Sequence, residues 1–211
     1  MPFFRNKQGA VLYHVHIPKT AGTSILKLML NEGCDVLGYS KYAQPCSLQH
    51  RHKDVESLQS DLKDYNPTAS LIILREPLYR LKSAYAWQMM ICGTEASQDS
   101  FDWWLYSARA ALKSNPYTFD NHLRPQAEFH DESYSTFLFG DWNGIQEHLS
   151  QFLGKRITLG REHQITRPPL FIPPAHLDWF ENYYAEDLKL WDKVKDSEKV
   201  KPCANHNWEL P

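Results

Sequence analysis

The sequence predicts an α/β fold, a three-layer sandwich in which a central, mostly parallel sheet is flanked by helices on both faces. Two apolar runs, Ala10–Ile17 and Ser70–Leu74, are bounded by prolines, and apolar residues at helical spacing follow each of them. The segment that joins them, Asp54–Tyr65, carries Val55, Leu58 and Leu62 at helical spacing, so a helical crossover and parallel strands are expected.

The first run is partly β-branched and stops at Pro18; Thr23–Leu30 then places Ile25, Leu28 and Met29 on one helix face, which reads as strand, tight loop, helix. The second run lies between Pro67 and Pro77, and Pro77 is placed to open a helix through Trp87. Later come a helix near Phe101–Lys113, a loop through Pro116–Pro125, a strand at Ser135–Phe139, and helices at Ile145–Leu153 and Ala175–Lys195. The stretch Arg167–Pro174 holds four prolines, which excludes a helix or a central strand and leaves a linker or a covering loop. No internal repeat or low-complexity tract interrupts this order, and one domain over residues 1–211 is expected.

An apolar fraction of 42% in 211 residues is enough for one core. The net charge of -2, from 23 basic and 25 acidic residues, excludes a global pull toward nucleic acid or lipid, so any anion site must be local. No apolar run approaches the ~20 residues that cross a bilayer. The N-terminus lacks the pattern of a secretory signal, so a cytoplasmic location is expected. Cys34, Cys46, Cys92 and Cys203 stand far apart with no C-x-x-C pair and read as free thiols, although three disulfide pairings would be open in an oxidising compartment.

The turn after the first strand, His16-Ile17-Pro18-Lys19-Thr20-Ala21-Gly22-Thr23-Ser24, concentrates a lysine, a glycine and hydroxyl residues at a helix start. Backbone N–H groups and the positive helix end converge there on one point, which suits phosphate or sulfate. The nucleotide loop G-x-x-x-x-G-K-[ST] is absent, because Lys19 precedes Gly22. The bland alternative is a capped helix with Lys19 solvated. After the second strand, Arg75 stands at the strand end and Ser83 eight residues later on the helix opened by Pro77. The planar fork of arginine suits a phosphate, whereas Glu76 and Arg80, at i and i+4, read as an ordinary surface ion pair.

The run Pro18-Lys19-Thr20-Ala21-Gly22-Thr23-Ser24 resembles the 5′-phosphosulfate loop of sulfotransferases that use 3′-phosphoadenosine 5′-phosphosulfate (PAPS), particularly the carbohydrate branch, and Arg75 with Ser83 resembles that family's 3′-phosphate motif. The resemblance implies a P-loop-like form of the sandwich, PAPS as donor, adenosine 3′,5′-bisphosphate as product, no metal, and cofactor contacts from Lys19, Thr20, Ala21, Gly22, Thr23, Ser24, Arg75 and Ser83. It also implies an acceptor with a free hydroxyl, a saccharide by the branch. Sulfuryl transfer needs a cation on the departing phosphate and a base near neutral pKa. Lys19 is the candidate cation. Gln49-His50-Arg51-His52 is similar to the H-x-H of uronyl 2-O-sulfotransferases, which makes His52, with His50 second, the candidate base. Two such histidines could instead hold a metal or sit on a polar surface.

His14 and His16 repeat the spacing on the first strand: His16 adjoins the phosphate loop, while His14 reads as a core histidine with its hydrogen bonds satisfied. The segment Phe119-Asp120-Asn121-His122-Leu123-Arg124-Pro125-Gln126 is similar to a D-N-H-x-R-P-Q stretch of carbohydrate-type members, and His122, Arg124 and Gln126 are candidate substrate contacts there. The alternative is a turn tied by Asp120 and Asn121. Trp87, Trp103 and Trp104 offer either sugar platforms or core. Arg161, His163 and Arg167 suit either a cover or solvated surface, and Trp179–Val194 reads as amphipathic packing. Two competing classes stay open: a small-molecule kinase with a divergent phosphate loop, and a non-catalytic module that binds a nucleotide or a sulfated sugar.

Overall fold

The computed structural model describes residues 3–37, 63–119, 121–160 and 169–197. A five-stranded sheet of order β3-β1-β2-β4-β5 forms its centre, built from β1 (Phe3–Arg5), β2 (Val11–Val15), β3 (Asp35–Leu37), β4 (Ala69–Leu74) and β5 (Thr136–Leu138). The strands β2, β4 and β5 run parallel, in the registers Val15↔Ile72 and Ile72↔Thr136, while β1 runs against both its neighbours. The mostly parallel sheet expected from the sequence is therefore mixed at one end. The strands β1 and β3 escape a sequence reading because three residues show no period.

Alternation along the strands sends side chains to two cores, as a period of two requires. Phe4, Leu12, Leu71 and Ile73 pack on one face against α1 (Gly22–Asn31) and α4 (Trp142–Leu153), through Ile25, Met29, Ile145 and Leu149. Phe3, Tyr13, Val15, Ile72 and Leu74 meet Leu190, Trp191 and Val194 of α6 (Ala185–Lys195) on the other. A further cluster joins α2 (Pro77–Ile91), α3 (Gln98–Ser114) and α5 (Pro174–Tyr183) through Leu81, Tyr85, Phe101, Trp104 and Phe180. Burying one such side chain contributes roughly 1.5–3 kcal/mol. None of the described helices is long and apolar enough to cross a membrane.

The helices begin where local chemistry starts them. Pro77 opens α2 and Glu76 caps it, its Oε2 accepting from Tyr79 N–H at 2.7 Å; Ser97 caps α3 in a capping box with Ser100. The single helix expected over Ala175–Lys195 is two, α5 and α6, broken at Tyr184 (φ -105°, ψ 20°). Tyr184 is buried there, and its hydroxyl donates to Leu123 O at 2.8 Å. The helix expected at Asp54–Tyr65 falls almost wholly outside the described residues, of which Lys63–Tyr65 are helical. Cys34 is buried and Cys92 exposed, both as free thiols, while Cys46 and Cys203 lie outside the described residues.

Candidate active site

Because β2 and β4 are adjacent and parallel, the loops that follow them leave the same sheet edge, where α/β sheets collect ligands. The two strand ends touch: Arg75 Nη1 donates to the carbonyl oxygen of Lys19 at 3.0 Å.

In the first loop, Lys19 and Ala21 both adopt left-handed backbone, with φ of 71° and 74°. Between them Thr20 is fully buried, and its hydroxyl donates to Ile17 O at 2.8 Å, bracing the turn from inside. A turn of this kind forms a concavity of backbone N–H groups suited to an anion. It leads straight into α1, whose N-cap Ala21 supplies no side-chain cap and whose first turn holds no acidic residue, so the helix start keeps its positive end. Gly22 is required by space: a Cβ there would come within 1.8 Å of His16 Nε2. The buried imidazole of His16 therefore lies directly against the start of α1.

In the second loop, the side-chain amide of Gln126 brackets the Arg75 backbone, accepting from its N–H at 2.9 Å and donating to its carbonyl at 2.7 Å. The Arg75 guanidinium lies 4.3 Å from the centre of the Phe139 ring. Ser83 is buried on α2. The surface ion pair expected between Glu76 and Arg80 does not form, since Glu76 caps α2 and Arg80 is buried to 1% exposure. The Arg80 guanidinium instead donates to His122 O at 3.1 Å and to Arg124 O, with the Tyr184 ring 5.9 Å away.

The segment around residues 119–126 closes the arrangement. A carbonyl can only accept, so the 2.6 Å contact between His122 Nδ1 and Phe119 O puts a proton on Nδ1. The His122 ring stacks on Trp87 at 4.4 Å and 9°, and Lys19 Nζ lies 5.3 Å from the same indole. Arg124 Nε pairs with Glu128 at 2.6 Å. Among the described residues five non-glycine residues have positive φ, and four of them, Lys19, Ala21, Phe119 and Asn121, lie in these loops. Each such residue costs about 1–2 kcal/mol, and strain concentrated this way points to a functional site.

A sequence model described as the sulfotransferase family matches residues 2–170, four fifths of the chain. The chain belongs to the sulfotransferase family. No curated protein and no solved structure matches it. In this sulfotransferase the expected donor-loop residues Lys19, Thr20, Ala21, Gly22, Thr23 and Ser24 form the strand-to-helix turn, Arg75 is hydrogen-bonded to it, and Ser83 is buried on α2. The Thr20 hydroxyl is turned inward to Ile17 O. Of the substrate candidates, His16 and His122 border the loops, whereas the Gln126 amide is bonded at both ends to Arg75 and Arg124 is paired with Glu128. His50 and His52, the base candidates, lie outside the described residues, as do Asp120, Arg161, His163 and Arg167.

Several residues that build this candidate site carry no sequence signal. Arg80 was disguised by its spacing from Glu76, and Tyr184 and Asp187 lie about sixty residues from the backbone groups that they hold. Trp87 is half-buried beside Lys19, Trp104 is core, and Trp103 is exposed. His14 is fully buried as expected, but neither ring nitrogen has a hydrogen-bond partner among the described residues, and burial lowers its pKa to about 3. A groove of about 480 Å³ on α4, lined in part by Gln146, Glu147 and Arg156, shares no residue with these loops.

Proposed function

We propose that this sulfotransferase moves the sulfuryl group of PAPS to a hydroxyl of a saccharide acceptor. The observation that carries the reading is the contact between Arg75 and Lys19, which joins a concavity for one anionic group to an arginine suited to a second. PAPS carries two such groups, the 5′-phosphosulfate and the 3′-phosphate.

In this reading the N–H groups of residues 20–24 hold the phosphosulfate, and Arg75 with Ser83 holds the 3′-phosphate. The acceptor oxygen bonds to sulfur as the bond from sulfur to the bridging phosphate oxygen breaks. Lys19 stabilises the charge gathering on that oxygen, and the hydroxyl proton passes to a histidine. His52, with His50 second, takes this role on the strength of the H-x-H resemblance alone. His16 faces the donor loop, and His122 with Trp87 forms the acceptor side. Positioning and electrostatics carry the transfer, as in phosphoryl transfer.

The test is ligand selectivity followed by turnover. Adenosine 3′,5′-bisphosphate should raise the melting temperature more than adenosine 5′-phosphate or magnesium ATP, since a ligand of the folded state stabilises it. Labelled donor should then mark a saccharide in an acceptor screen. A larger shift with magnesium ATP, or label that passes only to water, would overturn the proposal.

A further inference from the structure

We infer that Asp187, which lies beyond the span matched by the family, is a positioning residue for the 3′-phosphate end of the donor site, acting on Arg75 through Gln126 without touching the ligand. The inference rests on the site reading proposed above.

The chain of contacts starts at Arg75, one residue past the end of β4. Both of its backbone groups are taken by the amide of Gln126, at 2.9 and 2.7 Å. A residue held at N–H and carbonyl together has its Cα fixed, and with it the origin of the guanidinium that reaches Lys19 O. The placement of Arg75 is thus only as firm as that of Gln126.

Gln126 opens the 3-10 turn Gln126–Phe129, whose first N–H groups have no partner within the turn and receive no side-chain cap from Pro125. Asp187 supplies the missing acceptor: its Oδ1 accepts from Ala127 N–H at 2.8 Å. The backbone and side-chain N–H groups of Gln126 also bear on this carboxylate and favour its charged form. Asp187 is 1% exposed, and its Oδ2 has no hydrogen-bond partner among the described residues. Burial accordingly raises its pKa, against the opposing pull of Arg80. A half-satisfied buried carboxylate is a poor way to stabilise a fold. Its orientation toward one turn, and through that turn toward one arginine, gives it a use that an apolar residue could not serve.

The test compares, on the full chain, affinities for adenosine 3′,5′-bisphosphate and adenosine 5′-phosphate, which differ only in the group that Arg75 would hold. Wild-type protein should prefer the bisphosphate. In Asp187→Ala that preference should fall about tenfold or more, the size of a lost hydrogen bond to a charged group, with adenosine 5′-phosphate binding unchanged. A folded Asp187→Ala protein with intact preference overturns the inference, and so does an equal loss for both ligands, which marks general loosening. Should Asp187→Ala not fold, Gln126→Met cuts the same chain, and there too a retained preference overturns it. Wild-type protein without preference for the bisphosphate would sink the site reading itself, and this inference with it.

Discussion

The guanidinium of Arg75 donates to the backbone oxygen of Lys19 across a gap of 3.0 Å, tying the ends of two adjacent parallel strands. The tie comes from one nitrogen of a planar fork, and a lysine lacks the fork's further donors for a phosphate. Arg75→Lys should therefore weaken adenosine 3′,5′-bisphosphate binding by about tenfold or more in calorimetric titration. Lys19→Ala should instead lower turnover by roughly 10²–10³ with bisphosphate affinity nearly kept, if its charge acts on the departing oxygen as proposed. Normal turnover in the Lys19 variant would refute that role.

Gly22 and His16 compete for one space. A methyl group at residue 22 would overlap the imidazole, so Gly22→Ala should destabilise the protein by about 1–3 kcal/mol in urea unfolding. In a His16→Ala background the same change should cost much less, and additive effects in this double-mutant cycle would show that the clash is not the cause.

Ala21 carries a left-handed backbone without a side chain that helps it, at φ 74°. Ala21→Gly should relieve this strain by about 1 kcal/mol, less what the more flexible unfolded chain regains, and raise the melting temperature by a few degrees. A drop in melting temperature would mean that the turn is not strained at this residue.

His14 makes stability depend on acid. Its pKa falls from 6.5 unfolded to about 3 in the folded protein, mainly through burial, so the unfolded state binds the extra proton between these values. The stability it allows is whole above pH 6.5 and declines as the pH drops toward 3, by on the order of 4–5 kcal/mol in all. His14→Phe should flatten this limb of a stability–pH profile, and an unchanged limb would assign the acid sensitivity elsewhere.

Arg80 holds two carbonyls of the 122–124 segment from a position with 1% exposure. Arg80→Met should cost about 2–4 kcal/mol, the penalty of leaving those acceptors buried and unmet. A stability within 0.5 kcal/mol of wild type, the usual range for a surface change, would restore Arg80 to the surface.

The sandwich was legible because its long elements announce themselves: β2 and β4 are apolar runs, and Pro77 marks where α2 begins. The candidate loop stands out for a related reason, since Lys19, Gly22 and Arg75 sit at fixed offsets from strand ends. The scaffold behind the loop was hidden. Arg80 looked like half of an i, i+4 pair until its burial was seen, and nothing local marks Gln126 as the partner of Arg75, fifty-one residues away. The break at Tyr184 was invisible for the same reason, because a distant carbonyl at Leu123 claims its hydroxyl.

The packing of Trp87 between the 119–126 segment and Lys19 has an optical consequence. An imidazole stacked on an indole and an ammonium near its ring both alter its emission, so any anion that draws Lys19 away must change the fluorescence of this side chain. Trp87 therefore stands as a natural reporter beside Lys19, and its emission would register a ligand bound at the proposed donor loop.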